Sequence, residues 1–283
     1  MTVRVVTDSG CDLPPALCDE LSIEVVPLTI RFGQESLVDR KDLTAVEFWA
    51  RCKAAPALPE TAAPSPGAFE EAYRRAQAGG ADGVVVVTLS EKLSATIQAA
   101  QIGADAVAGD LPVRVVDSAN ASLAEGMVAL LAARAAAAGQ SLEEVEQVAR
   151  SAAARTTLVA VIDTLDNLRR GGRIGGAQAL LGGLLSIKPL ITVSADTGGE
   201  VAEAGKQRTR AKAIATLLDK VRAVGPVEAI GVMHAEAPDV DDLLQRLDDL
   251  VPREDITVAD VGPVIGTHVG PGCIGVVTVR AEH

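Results

Sequence analysis

The residues best suited to chemistry sit where a strand gives way to a helix. Val84 to Val87 is a run of four β-branched apolar residues, and the Ala-rich stretch from Ala95 to Ala108 reads as a helix. Between them lie Ser90, Lys92, Ser94 and Thr96, beyond the carboxyl end of the strand and at the amino end of the helix, where hydroxyls and free backbone N–H groups can hold an anion. Thr61, in Thr61-Ala-Ala-Pro-Ser65, has no structural duty that the sequence reveals, whereas Ser65 before Pro66 is a helix start. Asp8 and Asp117 follow strand-like runs, and His268 lies in Gly266-Thr-His-Val-Gly-Pro-Gly, read as a loop too glycine-rich to be a packing site. These three permit an enzyme reading, a phosphotransferase or hydrolase with His268 as acid or base. A structural reading competes with it: Asp8, Ser9 and Asp12 close a turn and cap a helix.

Familiar signatures are missing or misplaced. Gly270-Pro-Gly-Cys-Ile-Gly has the letters of a dinucleotide fingerprint but is followed by the strand-like Val276-Val-Thr-Val-Arg, where that motif needs a helix. No Walker loop, nucleophile elbow or H-E-x-x-H occurs. Four cysteines without a C-x-x-C pair and three scattered histidines offer no metal spacing, so the thiols are read as reduced and no metal or cofactor is expected. The run Lys206, Arg208, Arg210, Lys212 is either a solvated face or a docking patch.

The elements that must position these groups alternate. Val3 to Thr7, Glu24 to Phe32, Val84 to Val87 and Val113 to Asp117 read as strands separated by helices, which predicts a parallel sheet covered on both faces. Ser122 with Glu125, and Ser141 with Glu144, read as capping boxes. A first domain over 1–155 is followed by a second over 156–283. In the second, Asp163 is read as a helix cap, Ala177 to Ile187 as an apolar helix, and Pro189 to Val193 as one arm of a hairpin turned at Asp196-Thr-Gly-Gly. Further strands at 227–233, 256–261 and 273–279 give a second, mixed α/β sheet.

Composition narrows the function classes. The chain has 283 residues, 48% apolar, with five aromatic side chains and a net charge of −12, which disfavours nucleic acid as a partner. The N-terminus shows no basic-then-apolar leader, and the longest apolar stretch, Leu123 to Ala138, is interrupted by Glu125 and Arg134, so a cytoplasmic protein without a transmembrane segment is expected.

Taken together, Asp8-Ser-Gly-Cys-Asp-Leu, Thr61 to Ser65, Leu89 to Gln98, Val116-Asp-Ser118, Asp163-Thr-Leu-Asp-Asn-Leu-Arg-Arg-Gly-Gly-Arg-Ile174, Arg208-Thr-Arg and Ile265-Gly-Thr-His-Val-Gly-Pro-Gly resemble the DegV family. These are bacterial fatty-acid-binding proteins that include FakB, the acyl-carrying subunit of fatty acid kinase. The resemblance implies two α/β domains with a long-chain fatty acid, such as hexadecanoate, between them. It implies that Thr61, Ser94 and His268 bind the carboxylate, with Ser65, Ser90, Thr96, Asp117 and Ser118 in supporting loops. An acyl tunnel is expected along Ile174, Leu180, Leu181 and Leu184. Arg173 and Arg208 are expected to dock a kinase and not to touch the lipid, the protein itself catalysing nothing; the resemblance also allows transient contact with a membrane surface. The chain departs from the family at Ala62 and Ala63, where Ser-Gln is usual, and at Ala95, where Gly is usual.

Overall fold

A computed structural model describes residues 2–55, 57–180 and 187–282. Before Arg155 lie strands β1 (Val3–Asp8), β2 (Glu24–Val26), β3 (Thr29–Phe32), β4 (Glu35–Val38), β5 (Glu60–Ala62), β6 (Gly83–Thr88) and β7 (Val113–Asp117). After it come β8 (Thr156–Val161), β9 (Lys188–Ser194), β10 (Ala202–Gln207), β11 (Val227–His234), β12 (Ile256–Asp260) and β13 (Ile274–Arg280). The α-helices are α1 (Pro15–Glu20), α2 (Ala45–Ala54), α3 (Pro66–Ala78), α4 (Thr96–Val107), α5 (Leu123–Ala137), α6 (Leu142–Arg155), α7 (Asp166–Arg170), α8 (Arg210–Arg222), α9 (Val240–Gln245) and α10 (Pro263–Val269).

The strands form a parallel four-stranded sheet, β2-β1-β6-β7, a mixed six-stranded sheet, β10-β9-β8-β13-β11-β12, and a small antiparallel sheet, β4-β3-β5. The β6 valines show why the first sheet is covered twice. Val84 and Val86 pack into the cluster with Phe69 and Tyr73 of α3, whereas Val85 and Val87 turn to the opposite core with Leu123 and Met127 of α5. Helix α5 packs on β1 and β6 on one side and on β8, β11 and β13 on the other. That position accounts for its nearly all-apolar sequence, and Gly126 is needed there because a Cβ would meet the Cys11 carbonyl at 2.5 Å.

Several local expectations are corrected. The run from Glu24 to Phe32 is two strands in different sheets, parted at Pro27, which has no N–H to donate to a ladder. Ser141 and Glu144 form a capping box, but Ser122 and Glu125 do not: Ser122 donates to Asp12, and the buried Glu125 accepts from Thr7. Asp163 does not cap α7; it pairs with Lys188 and Arg210, and Thr164 Oγ1 accepts from the Asp166 amide. The hairpin β9–β10 is present, turned through Gly198 and Gly199 at φ 66° and 78°. Of the expected helix 177–187, Gly175–Leu180 is a 3₁₀ turn, and Leu181 and Leu184 fall outside the described residues.

Candidate ligand-binding site

A cavity with about 170 Å³ of room for the centre of a water-sized molecule lies where the two large sheets and α10 meet. Leu158 and Ala160 of β8, Ile191 and Val193 of β9 and Met233 of β11 line it from the six-stranded sheet. The alternation 158/160 and 191/193 is the period of a strand showing one face to the space. Helix α10 adds Val264, Ile265 and Val269, and the first half of the chain adds Leu89, Leu93 and Ala121.

Four polar residues of the lining, Thr61, Ser94, Arg173 and His268, stand out against it. Thr61 stands on β5, paired with Ile30 of β3, and its Oγ1 lies 2.9 Å from His268 Nε2. His268 occupies the last turn of α10, not a loop: Pro263 starts the helix, and Gly270 at φ 75° ends it. Asn167 Nδ2 donates to the Thr267 carbonyl at 3.1 Å, fixing that end of α10 to α7. Burial, reinforced by the Arg173 guanidinium, pulls the imidazole down to about 4, so His268 is neutral at physiological pH. Its Nδ1 is buried without a partner.

Ser94 and Ala95 also line the cavity, just before α4. The Ser94 hydroxyl is 2.8 Å from that of Thr96, which is fully buried and supports it from behind. Arg173 is the one cation among the described lining residues; its Nε donates to the Leu93 carbonyl at 3.1 Å and its Nη1 to the Gly171 carbonyl at 2.6 Å. Arg173, expected at a partner surface, thus also lines the cavity, where two backbone carbonyls hold its guanidinium. Arg208 is exposed just after β10.

The other expected site residues have different duties. Ser65 caps α3, accepting from the Ala68 amide at 3.2 Å. Ser90 accepts from Lys92, Asp117 accepts from the Glu91 and Ala119 amides, and Ser118 is hydrogen-bonded to Asn120, so these hold the crossover loops and none of them lines the cavity. Leu180 is buried in the main core and the half-buried Ile174 packs against it, and neither is among the described residues that line the cavity. Asp8 is fully buried and accepts from Gly10 and Leu89 N–H at 2.8 and 3.0 Å; neither it nor Asp117 reaches the cavity that holds His268. Among the described residues no three His, Cys, Asp or Glu side chains converge as a metal site, the four cysteines are free, and no helix is long and apolar enough to cross a membrane.

Gly171 is a site residue that the sequence does not single out by chemistry. A Cβ there would stand 2.4 Å from His268 Nδ1, so the imidazole lies directly against the backbone. Gly171→Ala is expected to displace the ring, break its contact with Thr61 and lower ligand affinity about tenfold or more, at an overpacking cost of about 1–3 kcal/mol. Titration calorimetry checks this; an unchanged affinity would mean that the imbalance is absorbed without moving His268.

The chain as a whole has known counterparts. It is 42% identical over 280 residues to a DegV domain-containing protein of Streptomyces coelicolor, covering 97% of each chain. A fatty-acid-binding DegV family protein from Thermus thermophilus superposes with a TM-score of 0.87 at 36% identity, covering 99% of this chain and 100% of that one. A DegV lipid binding protein from Thermotoga maritima gives a TM-score of 0.87 at 29% identity over the full length of both. The family model described as "Uncharacterised protein, DegV family" matches residues 2–281. With the sheet order, the Thr61–His268 pair and the glycine-bounded α10 all within that span, the chain belongs to the DegV family.

Proposed function

We propose that this protein binds a long-chain fatty acid, such as hexadecanoate, and presents its carboxylate to a partner fatty acid kinase for acyl-phosphate formation. One observation carries the reading: a largely apolar cavity is lined also by Thr61, Ser94, Arg173 and a neutral His268, with Ser122 the one further polar residue among its described lining. A carboxylate leaving water needs charge-assisted hydrogen bonds, and two hydroxyls, an imidazole N–H and a guanidinium supply them. The hydrocarbon supplies the gross affinity, about 8 kcal/mol for roughly ten methylenes at about 0.8 kcal/mol each, before ordering costs. The similarity to the Thermus thermophilus protein supports the same ligand class. In this reading residues 1–155 contribute the head-group hydroxyls and residues 156–283 the acyl tunnel, with His268 and Arg173 of the second part returning to the head group.

Solvent extraction of the purified protein followed by mass spectrometry tests the reading. Fatty acid in near one-to-one amount is expected. Extracts no richer than those of a control protein, with no saturable uptake of added hexadecanoate, would sink it.

The kinase step has its own test in Arg208. Its neighbour Arg210 is neutralised by Asp239 at 2.7 Å and by Asp163, whereas Arg208 is exposed in a chain of net charge −12. Exposed charge of this kind steers a partner more than it stabilises a fold. Arg208→Glu is expected to leave fatty-acid affinity within twofold while slowing kinase-dependent acyl-phosphate formation several-fold, with a weaker salt dependence. An unchanged phosphorylation rate assigns Arg208 to solubility alone.

A further inference from the structure

Strand β12 is one edge of the six-stranded sheet: it pairs with β11, and among the described residues no strand lies on its other side. The N–H and C=O of one residue in a parallel strand point the same way, and alternate residues face the neighbour. The Thr257 carbonyl lies 3.3 Å from where a Gly231 Cβ would stand, and Val261 N–H donates to the His234 carbonyl at 2.7 Å, so Thr257, Ala259 and Val261 face β11. Ile256, Val258 and Asp260 therefore turn their backbone groups to the open side. The Ile256 N–H is already given to the Arg253 carbonyl, which leaves those of Val258 and Asp260. Val258 is half-buried and Asp260 exposed.

Two depressions run along this edge. One is lined by Ile256, Thr257 and Val258 with Leu17, Met127 and Val251, the other by Val258, Ala259 and Asp260 with Pro15, Leu43 and Pro263. Pro14 and Val258 line both, so they meet at the middle of β12 in one groove with a wall from the first half of the chain. Six carboxylates, of Asp12, Asp39, Glu228, Glu254, Asp255 and Asp260, line it against two cations, Arg40 and Arg134. Glu228 is paired with Arg155, whereas the exposed Glu254 and Asp255 form no ion pair among the described residues. They precede β12 and Asp260 ends it, so negative charge flanks the edge on both sides. An antiparallel pairing with a second copy would bring Asp260 of one copy towards Glu254 and Asp255 of the other, and like charges oppose it. We propose that β12 is a docking edge for a basic, extended segment of another protein. The segment adds a strand through the Val258 and Asp260 backbone, lays apolar side chains in the groove and sets Lys or Arg against Glu254, Asp255 and Asp260. This surface is independent of the fatty-acid reading. An edge that its charges merely keep solvated binds no strand.

Two capped peptides test the edge, Lys-Val-Arg-Val-Thr-Val-Lys and Glu-Val-Glu-Val-Thr-Val-Glu, titrated against the full chain with amide exchange followed by mass spectrometry. The parent is expected to bind the basic peptide about tenfold or more tightly than the acidic one, with exchange slowed in Ile256–Asp260. Glu254→Lys, Asp255→Lys and Asp260→Lys together should weaken that binding about tenfold or more. Asp105→Lys, Glu143→Lys and Asp219→Lys together change the net charge equally at exposed positions elsewhere, and should leave it within about twofold. Val258→Pro removes an outward N–H and no bond to β11, so it should weaken binding as the first triple variant does. A basic peptide bound no more tightly than the acidic one, an equal loss in the two triple variants, or binding without slowed exchange in β12 overturns the docking edge. Slowed exchange in β12 on concentrating the parent alone overturns it too, assigning the edge to a second copy.

Discussion

His268→Ala is expected to weaken fatty-acid binding about ten- to hundredfold while leaving the fold intact. The imidazole offers the bound carboxylate a hydrogen bond to a charged oxygen, worth about 1.5–3 kcal/mol. Ser94→Ala and Thr61→Val should lose affinity on the same scale. Because Thr61 and His268 are 2.9 Å apart and act as a pair, the double variant should lose less than the sum of the singles. Trp49 and Phe48 of α2 lie against Gly266 in α10, where a Cβ would meet both rings at 2.9 Å, so Trp49 emission is a convenient reporter of ligand at that helix. Since His268 is neutral above about pH 4, affinity should not follow an imidazole titration between pH 5.5 and 8. Variants within twofold of the parent in binding titrations would show that the head group lies elsewhere.

Acidification from pH 8 to about 6.5 is expected to stabilise the protein, and Asp12→Asn to remove much of that dependence. Burial pushes the Asp12 carboxyl up to about 7 and Asp8 up to about 6, and holds Glu125 well above its usual range. The ordinary aspartate value is near 3.9, so between about pH 4 and 7 the folded protein binds more protons than the unfolded chain, and stability falls as pH rises through that window. For Asp12 the gap corresponds to about 4 kcal/mol of lost stability above pH 7. His268 acts in the opposite sense: its folded value near 4 lies below the unfolded value near 6.5, so its contribution is complete above about 6.5 and lost as pH falls towards 4. The two effects oppose each other below pH 6.5, which confines the net gain to the upper window. Asn at position 12 can still accept from Gly262 N–H and donate to Ser122 without a buried charge. Thermal melts of parent and variant at pH 6.5 and 8.5 check this; a parent melting several degrees higher at pH 8.5 would contradict it.

The sheets were legible in the chain because their strands and turns leave a local mark. The Val84–Val87 run and the glycine pair at the β9–β10 turn are properties of consecutive residues. Thr61, Ser94 and His268 stood out through the motifs shared with the DegV family, and Thr61 and His268 are brought within hydrogen-bond distance although 207 residues apart. Where sequence and structure part, a distant group has changed a side chain's partner. Ser122 and Glu125 have the spacing of a capping box, but Asp12 and Thr7 offer stronger partners in the buried space between the sheets. Arg173 reads as a surface cation until Leu93 and Gly171 present carbonyls to it. The acyl tunnel is expected along the apolar 174–184 segment on its hydrophobicity; of that segment Ile174 and Leu180 pack with the main core, and the described lining of the cavity comes largely from strand faces and α10. Apolar residues are needed equally for a core and for a lipid tunnel, so composition cannot tell the two apart; among the described residues, only the packing of the two sheets around α5 and α10 decides which apolar side chains line the cavity.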